Sequence, residues 1–181
     1  MFVDHTLESA PAASRRLMEA TVKHRGYLPA AIGRLATSPQ LLDGFLKLSG
    51  MFEASTLDKL AREVLIMTIA TRNGCHVCVA MHTATLASLS APTDVIEALR
   101  ERKPLPDERL EAIRTFTLDV IDRTGAVDAD RLRAFFAHGF TAQNALEVVL
   151  GIGAYTMSTL ANRMTDAPLD EQLASFAWTA A

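Results

Sequence analysis

Cysteine is scarce. The 181 residues hold two, Cys75 and Cys78, which excludes the multi-bridge framework that holds small secreted domains together. A disulfide between residues so close in sequence would constrain the unfolded chain little. Aromatic residues make up 6% of the chain, and no Val/Ile/Thr alternation marks a pair of hairpin strands, so a β architecture has no support. Basic clusters are missing as well. With a formal charge of −3 the chain lacks the electrostatic footprint of a nucleic-acid or anionic-lipid binder, and neither partner is expected. Nor does any stretch approach the ~18–20 uninterrupted apolar residues that a bilayer requires. The best run, Val64 to Ala70, is broken by Thr68 and reads as a core helix. The first residues, MFVDHTLESAPAASRR, carry Asp4 and Glu8 and lack the basic-then-apolar layout of a secretory signal. The expected location is therefore the reducing cytoplasm, where a close thiol pair more often serves catalysis or metal binding than structure.

What is present is Ala and Leu in quantity, within an apolar fraction of 49%. That composition, and apolar residues spaced three and four apart, predict an all-α fold. Residues 1–181 read as one helical domain. Its active-site half is about 1–102 and its second half about 107–181, joined at the loop Lys103-Pro-Leu-Pro. Helices are expected over about 12–25, 29–37, 39–52, 57–72, 75–89, 94–102, 107–124, 128–138 and 142–164, with a terminal turn or short helix over 168–176. Gly26, Gly125 and Gly139 are the expected stops, Ser55 or Thr56 the cap of the fourth helix, and Thr141 the cap of the last. Gly151 and Gly153 weaken that last helix by up to ~1 kcal/mol each relative to Ala, which close packing against another helix would explain.

The chemistry is concentrated in Glu63 to His82, EVLIMTIATRNGCHVCVAMH. Cys75, Cys78 and His82 are spaced three and four apart and would project to one side of a helix. Asn73-Gly74 is a turn pair, so Cys75 falls at or near a helix N-terminus, where free N–H groups and the helix dipole stabilise a thiolate. Glu63 and His82 lie ten and eight residues on either side of the turn. At ~1.5 Å per residue an antiparallel helix pair would set carboxylate and imidazole level with each other. A carboxylate, an imidazole titrating near neutrality and two thiols form a plausible proton relay serving a redox dithiol. Ile66, Met67 and Ala70 share the helical face of Glu63 and point it toward apolar surroundings.

Plainer roles exist for each of these residues. The cysteines could be small buried hydrophobes, Glu63 a solvated helix residue and His82 a boundary histidine. The same four side chains could instead close a zinc shell, although structural zinc sites usually draw on two separated knuckles. His76 points about 100° round the helix from Cys75 and reads as peripheral. His5, His24 and His138 have no chemical neighbours in sequence. The methionines read as core filler, with Met67 and Met81 able to line an apolar pocket near the thiols. An echo between Glu63-Val-Leu-Ile and Glu147-Val-Val-Leu hints at two related halves, but only the first carries cysteines.

The pattern Glu-x11-Cys-x2-Cys-x3-His on a helical chain resembles the alkyl hydroperoxidase D-like branch of the carboxymuconolactone decarboxylase family. The resemblance is densest over Arg62 to Leu86. It extends more loosely to Gly26-Tyr-Leu-Pro, Ser38-Pro-Gln-Leu-Leu, Asn162 and Pro168-Leu-Asp. Val77 stands where many members carry His or Tyr. The resemblance implies a thiol-dependent peroxidase acting on an alkyl or hydrogen peroxide, with Glu63 and His82 as proton relay. It implies a thioredoxin-like or lipoyl dithiol as reductant and assembly into homo-oligomers, commonly trimers or hexamers; no cofactor and no metal are expected. It also makes Cys78 the attacking thiol and Cys75 the resolving one, whereas proximity to the helix end favours Cys75 as the more acidic. A dithiol–disulfide oxidoreductase or redox sensor is the alternative. Lactone decarboxylases of similar sequence usually lack the C-x-x-C.

Overall fold

Most of the helices begin where a short oxygen-bearing side chain can accept a free backbone N–H. Ser38 accepts from Leu41, Asp58 from Ala61, Asp107 from Leu110 and Asp128 from Arg131. Thr141 accepts from the N–H of Asn144, whose side chain returns the bond to the Thr141 N–H in a capping box. The computed structural model describes residues 2–179. Among them it contains α1 (Ala12–Arg25), α2 (Ala30–Leu35), α3 (Pro39–Glu53), α4 (Lys59–Arg72), α5 (His76–Ser88), α6 (Thr93–Arg100), α7 (Glu108–Asp122), α8 (Ala129–Ala137) and α9 (Ala142–Met164). A 3-10 helix, η1 (Glu171–Phe176), is the last of these elements. Among the described residues no strand occurs, and no helix is long and apolar enough to cross a membrane.

Two start signals fall elsewhere than the sequence suggests. The cap of α4 is Asp58, two or three residues past Thr56 and Ser55. Thr56 is occupied with α9, donating its N–H and its hydroxyl to the Glu147 carboxylate at 2.9 and 2.8 Å. The sixth helix, expected over about 94–102, starts one residue earlier, with Thr93 the first residue of α6 behind Pro92. The stops agree better. Gly26 takes the left-handed conformation at φ +82 and donates its N–H to the Val22 carbonyl at 2.8 Å.

Helix α4 is the centre of the molecule. Val64, Leu65, Met67, Ile69 and Ala70 are fully buried, and the helix packs against α5, α6, α7 and α9. A helix apolar on nearly every side can only be stable when neighbours surround it. Gly151 lets α9 close on this core: a Cβ there would lie 2.6 Å from the Phe52 ring and 2.8 Å from Leu65. Gly153 has open space instead, so close packing explains only the first of the pair. A smaller apolar cluster, including Met18, Ile32, Leu35 and Leu42, joins α1, α2 and α3. A cavity opens where the two clusters meet, with walls from α1 to α5 and from α9.

Candidate active site

The site is built on the turn between α4 and α5. Gly74, at φ +66, supplies the left-handed residue that ends α4, and the Cys75 N–H then donates to the Ala70 carbonyl at 2.9 Å. Helix α9 fastens the turn from outside: the Asn73 amide donates to the Thr159 hydroxyl at 2.8 Å, and Arg163 donates to the Asn73 carbonyl. Cys75 is therefore the N-cap of α5 rather than a residue of its face, and it is 1% exposed. Cys78, 5% exposed, lies one turn in, its sulfur 3.0 Å from that of Cys75; both cysteines are free.

The two thiols behave differently. A hydrogen bond from the Cys78 thiol brings Cys75 down to about 7 against the effect of burial, with help from the Cys78 and Val77 N–H groups and the Asn162 amide. Cys78 is pushed well up by the same bond and by burial. Two sulfurs in contact release one proton readily and hold the second.

Glu63 and His82 meet across the hairpin, with Glu63 Oε2 and His82 Nδ1 at 2.8 Å and both side chains 13% exposed. An ionised carboxylate only accepts, so Nδ1 carries the hydrogen and Nε2 is the nitrogen left to exchange protons. The Tyr155 ring of α9 stands edge-on to the imidazole, 5.6 Å between centroids. Burial, followed by the Glu63 charge, raises the Tyr155 phenol above its ordinary range, so it stays protonated.

The cavity measures about 530 Å³ and is lined by Cys78, Glu63 and His82, by Tyr155, Ser158 and Asn162 of α9, and by apolar residues including Ile32, Leu35, Phe45, Phe52 and Ile66. Cys75 sits behind Cys78, off the lining, so the three side chains do not share one open face. The structure thus brings together the four residues the sequence singled out, with Cys78, His82 and Glu63 at the cavity and Cys75 behind Cys78.

Sequence reasoning missed Tyr155 and Ser158, which carry no local signal and reach the site from the far half of the chain. It also missed His24, which lines the cavity with Arg25 and Arg62. Met81 lines the cavity, whereas Met67 is buried away from it. The echoed glutamates differ in use, since Glu147 accepts from Thr56 and Asn144 rather than from a histidine. Among the described residues no three His, Cys, Asp or Glu side chains converge in an arrangement that could hold a metal ion.

Residues 39–112 match the carboxymuconolactone decarboxylase family. The matched segment contains Glu63, both cysteines and His82. No curated protein matches this sequence. Among solved structures, the chain is similar to an alkylhydroperoxidase AhpD core, an uncharacterized peroxidase-related protein from Ralstonia eutropha JMP134. The TM-score is 0.83 at 20% identity, over 95% of this chain and 93% of that one. A peroxidase-related protein from Silicibacter sp. TM1040 gives 0.78 at 19% identity, over 94% and 92%. A Cys-to-Ala variant of the debrominase Bmp8 in complex with 2,3,4-tribromopyrrole gives 0.73 at 13% identity, over 97% and 95%. At these identities the likeness fixes the fold, an AhpD-like all-α architecture, and leaves the reaction to be argued from the site.

Proposed function

We propose that the protein is a thiol-dependent peroxidase that reduces an organic hydroperoxide through the Cys75–Cys78 dithiol, with His82 and Glu63 moving the proton. The observation that carries this reading is the shared cavity: Cys78 and the Glu63-bound imidazole open onto it together, and a second sulfur waits 3.0 Å behind the first.

Loss of one proton from the pair to His82 Nε2 leaves a dithiol monoanion. The charge rests by preference on Cys75, and Cys78 becomes the nucleophile when its proton crosses the 3.0 Å gap to Cys75, leaving the thiolate on the sulfur that faces the cavity. A bond forms between Cys78 Sγ and the distal peroxide oxygen while the O–O bond breaks. The electron pair leaves on the alkoxide, which takes its proton from His82 as the alcohol departs. Cys78 is then a sulfenic acid. Cys75 attacks it, the S–O bond breaks, and water leaves with the hydroxyl and the remaining thiol proton, giving a disulfide. An external dithiol, thioredoxin-like or lipoyl, restores the thiols by exchange.

The apolar walls favour a hydroperoxide with a hydrocarbon or aromatic body over hydrogen peroxide. No cofactor or metal enters the scheme. The reading includes a cytoplasmic location and a homo-oligomer, a trimer or hexamer. Self-association is supported by Leu146, Val149, Leu160 and Met164, which leave an apolar stripe exposed on α9.

A second reading, a dithiol–disulfide oxidoreductase or redox sensor without peroxide turnover, draws support from a first thiol near 7, a value typical of such dithiols. Lactone decarboxylation would leave both thiols without a use.

The test is oxidation of the reduced protein by cumene hydroperoxide and by hydrogen peroxide, with and without a thioredoxin-like or lipoyl donor. Cys75→Ser should stop at a stoichiometric sulfenic acid, and Cys78→Ser should consume no peroxide. Sulfenic acid on Cys78→Ser but not on Cys75→Ser would reverse the two roles. Normal disulfide exchange without peroxide consumption would establish the second reading instead.

A further inference from the structure

We infer that Asn162 orients the hydroperoxide on Cys78, holding the sulfur with the nitrogen of its amide and the substrate O–H with the oxygen. This rests on the peroxidase reading above. Asn162 lies on α9, is 4% exposed, and lines the cavity beside Cys78. Its Nδ2 donates to Cys78 Sγ at 3.3 Å. Its Oδ1 is buried with no hydrogen-bond partner; among the described residues only the Ser55 hydroxyl shares that condition. Buried amide oxygens are seldom left unpaired, because withdrawing one from water without a partner is unfavourable. Here the unpaired atom belongs to the group that already touches the reactive sulfur.

A hydroperoxide has one donor, the O–H on its distal oxygen, and that oxygen is the atom a thiolate attacks. Accepted by Asn162 Oδ1, the O–H places its oxygen next to the sulfur held by the other end of the same planar amide. The hydrogen stays on that oxygen throughout: the S–O bond forms, the O–O bond breaks, and the product is Cys78–SOH, whose hydroxyl still donates to Asn162. The alkoxide leaves with the electron pair and is protonated by His82. Asn162 therefore transfers no proton. It fixes the direction of attack, which matters because a reacting pair must meet within about 3–3.5 Å in line.

Asn162→Leu removes both contacts at nearly constant volume. The second-order rate of oxidation by cumene hydroperoxide is expected to fall about tenfold or more, the equivalent of one hydrogen bond made in the transition state. Thermal stability should hold or rise, because the unpaired oxygen is gone. Part of the rate loss will come from fewer thiolates at neutral pH, since the amide also favours the ionised sulfur. The rates are therefore compared again well above the thiol pKa of each protein, located by the pH dependence of iodoacetamide alkylation.

A deficit that persists there, together with unchanged or higher stability, supports the oxygen's role. A deficit that closes at high pH assigns Asn162 to the sulfur alone and overturns the inference, as does a marked loss of stability with normal peroxide kinetics. If the wild-type protein itself ignores peroxide while its thiols still alkylate, the parent reading fails, and the inference falls with it.

Discussion

Glu63 on α4 and His82 on α5 are nineteen residues apart in sequence and are joined by a 2.8 Å hydrogen bond across the hairpin. The bond fixes the imidazole tautomer, with Nδ1–H on the carboxylate and Nε2 available to the cavity. A glutamate that held the ring but left both nitrogens engaged could not serve a proton relay.

Replacing His82 by Gln should slow peroxide oxidation of the dithiol about 100-fold, the lower part of the range for loss of a positioned acid–base group. Glu63→Gln should cost less, about tenfold, as a charge-assisted bond is exchanged for a neutral one. Stopped-flow oxidation of reduced protein checks both. Equal rates in wild type and His82→Gln would remove the imidazole from the mechanism.

The dithiol should leave a mark on stability as pH changes. Cys75 falls from an ordinary 9.0 to about 7 in the folded state. Below about 7 both states hold that proton and it contributes nothing. Between about 7 and 9 the unfolded chain binds more protons, so stability rises with pH. Above 9 the sign reverses, because folded Cys78 keeps a proton that the unfolded chain releases. Urea unfolding of the reduced protein, relative to Cys75→Ala/Cys78→Ala, should show a maximum near pH 9. A flat difference would mean that the sulfurs do not interact.

The two glycines of α9 should respond in opposite directions to the same substitution. Gly151→Ala forces a methyl group against Phe52 and Leu65 and is expected to cost ~1–3 kcal/mol. Gly153→Ala meets nothing within 4 Å and should stabilise the helix by up to ~1 kcal/mol. Equilibrium unfolding at matched chain concentration measures both. Destabilisation by Gly153→Ala would point to a close neighbour of α9 from another subunit.

The sequence by itself determined the helical class, the α4–α5 turn at Asn73-Gly74, and the grouping of Glu63, Cys75, Cys78 and His82. Those features depend on local chemistry: helical spacing, a left-handed glycine, and arms of similar length on either side of one bend. It misplaced the start of α4, because Thr56, Ser55 and Asp58 are all competent caps and only the packing of α9 draws Thr56 away to Glu147. It treated Gly151 and Gly153 alike because a glycine's own sequence does not reveal what faces it. Tertiary structure alone decided which sulfur meets the cavity, and that Tyr155, Ser158 and Asn162, some eighty residues further along, complete its wall. A side chain that arrives from a distant helix has no local spacing to announce it. Its position depends on how α9 packs against α3 and α4, a contact made by burying apolar surface rather than by any motif.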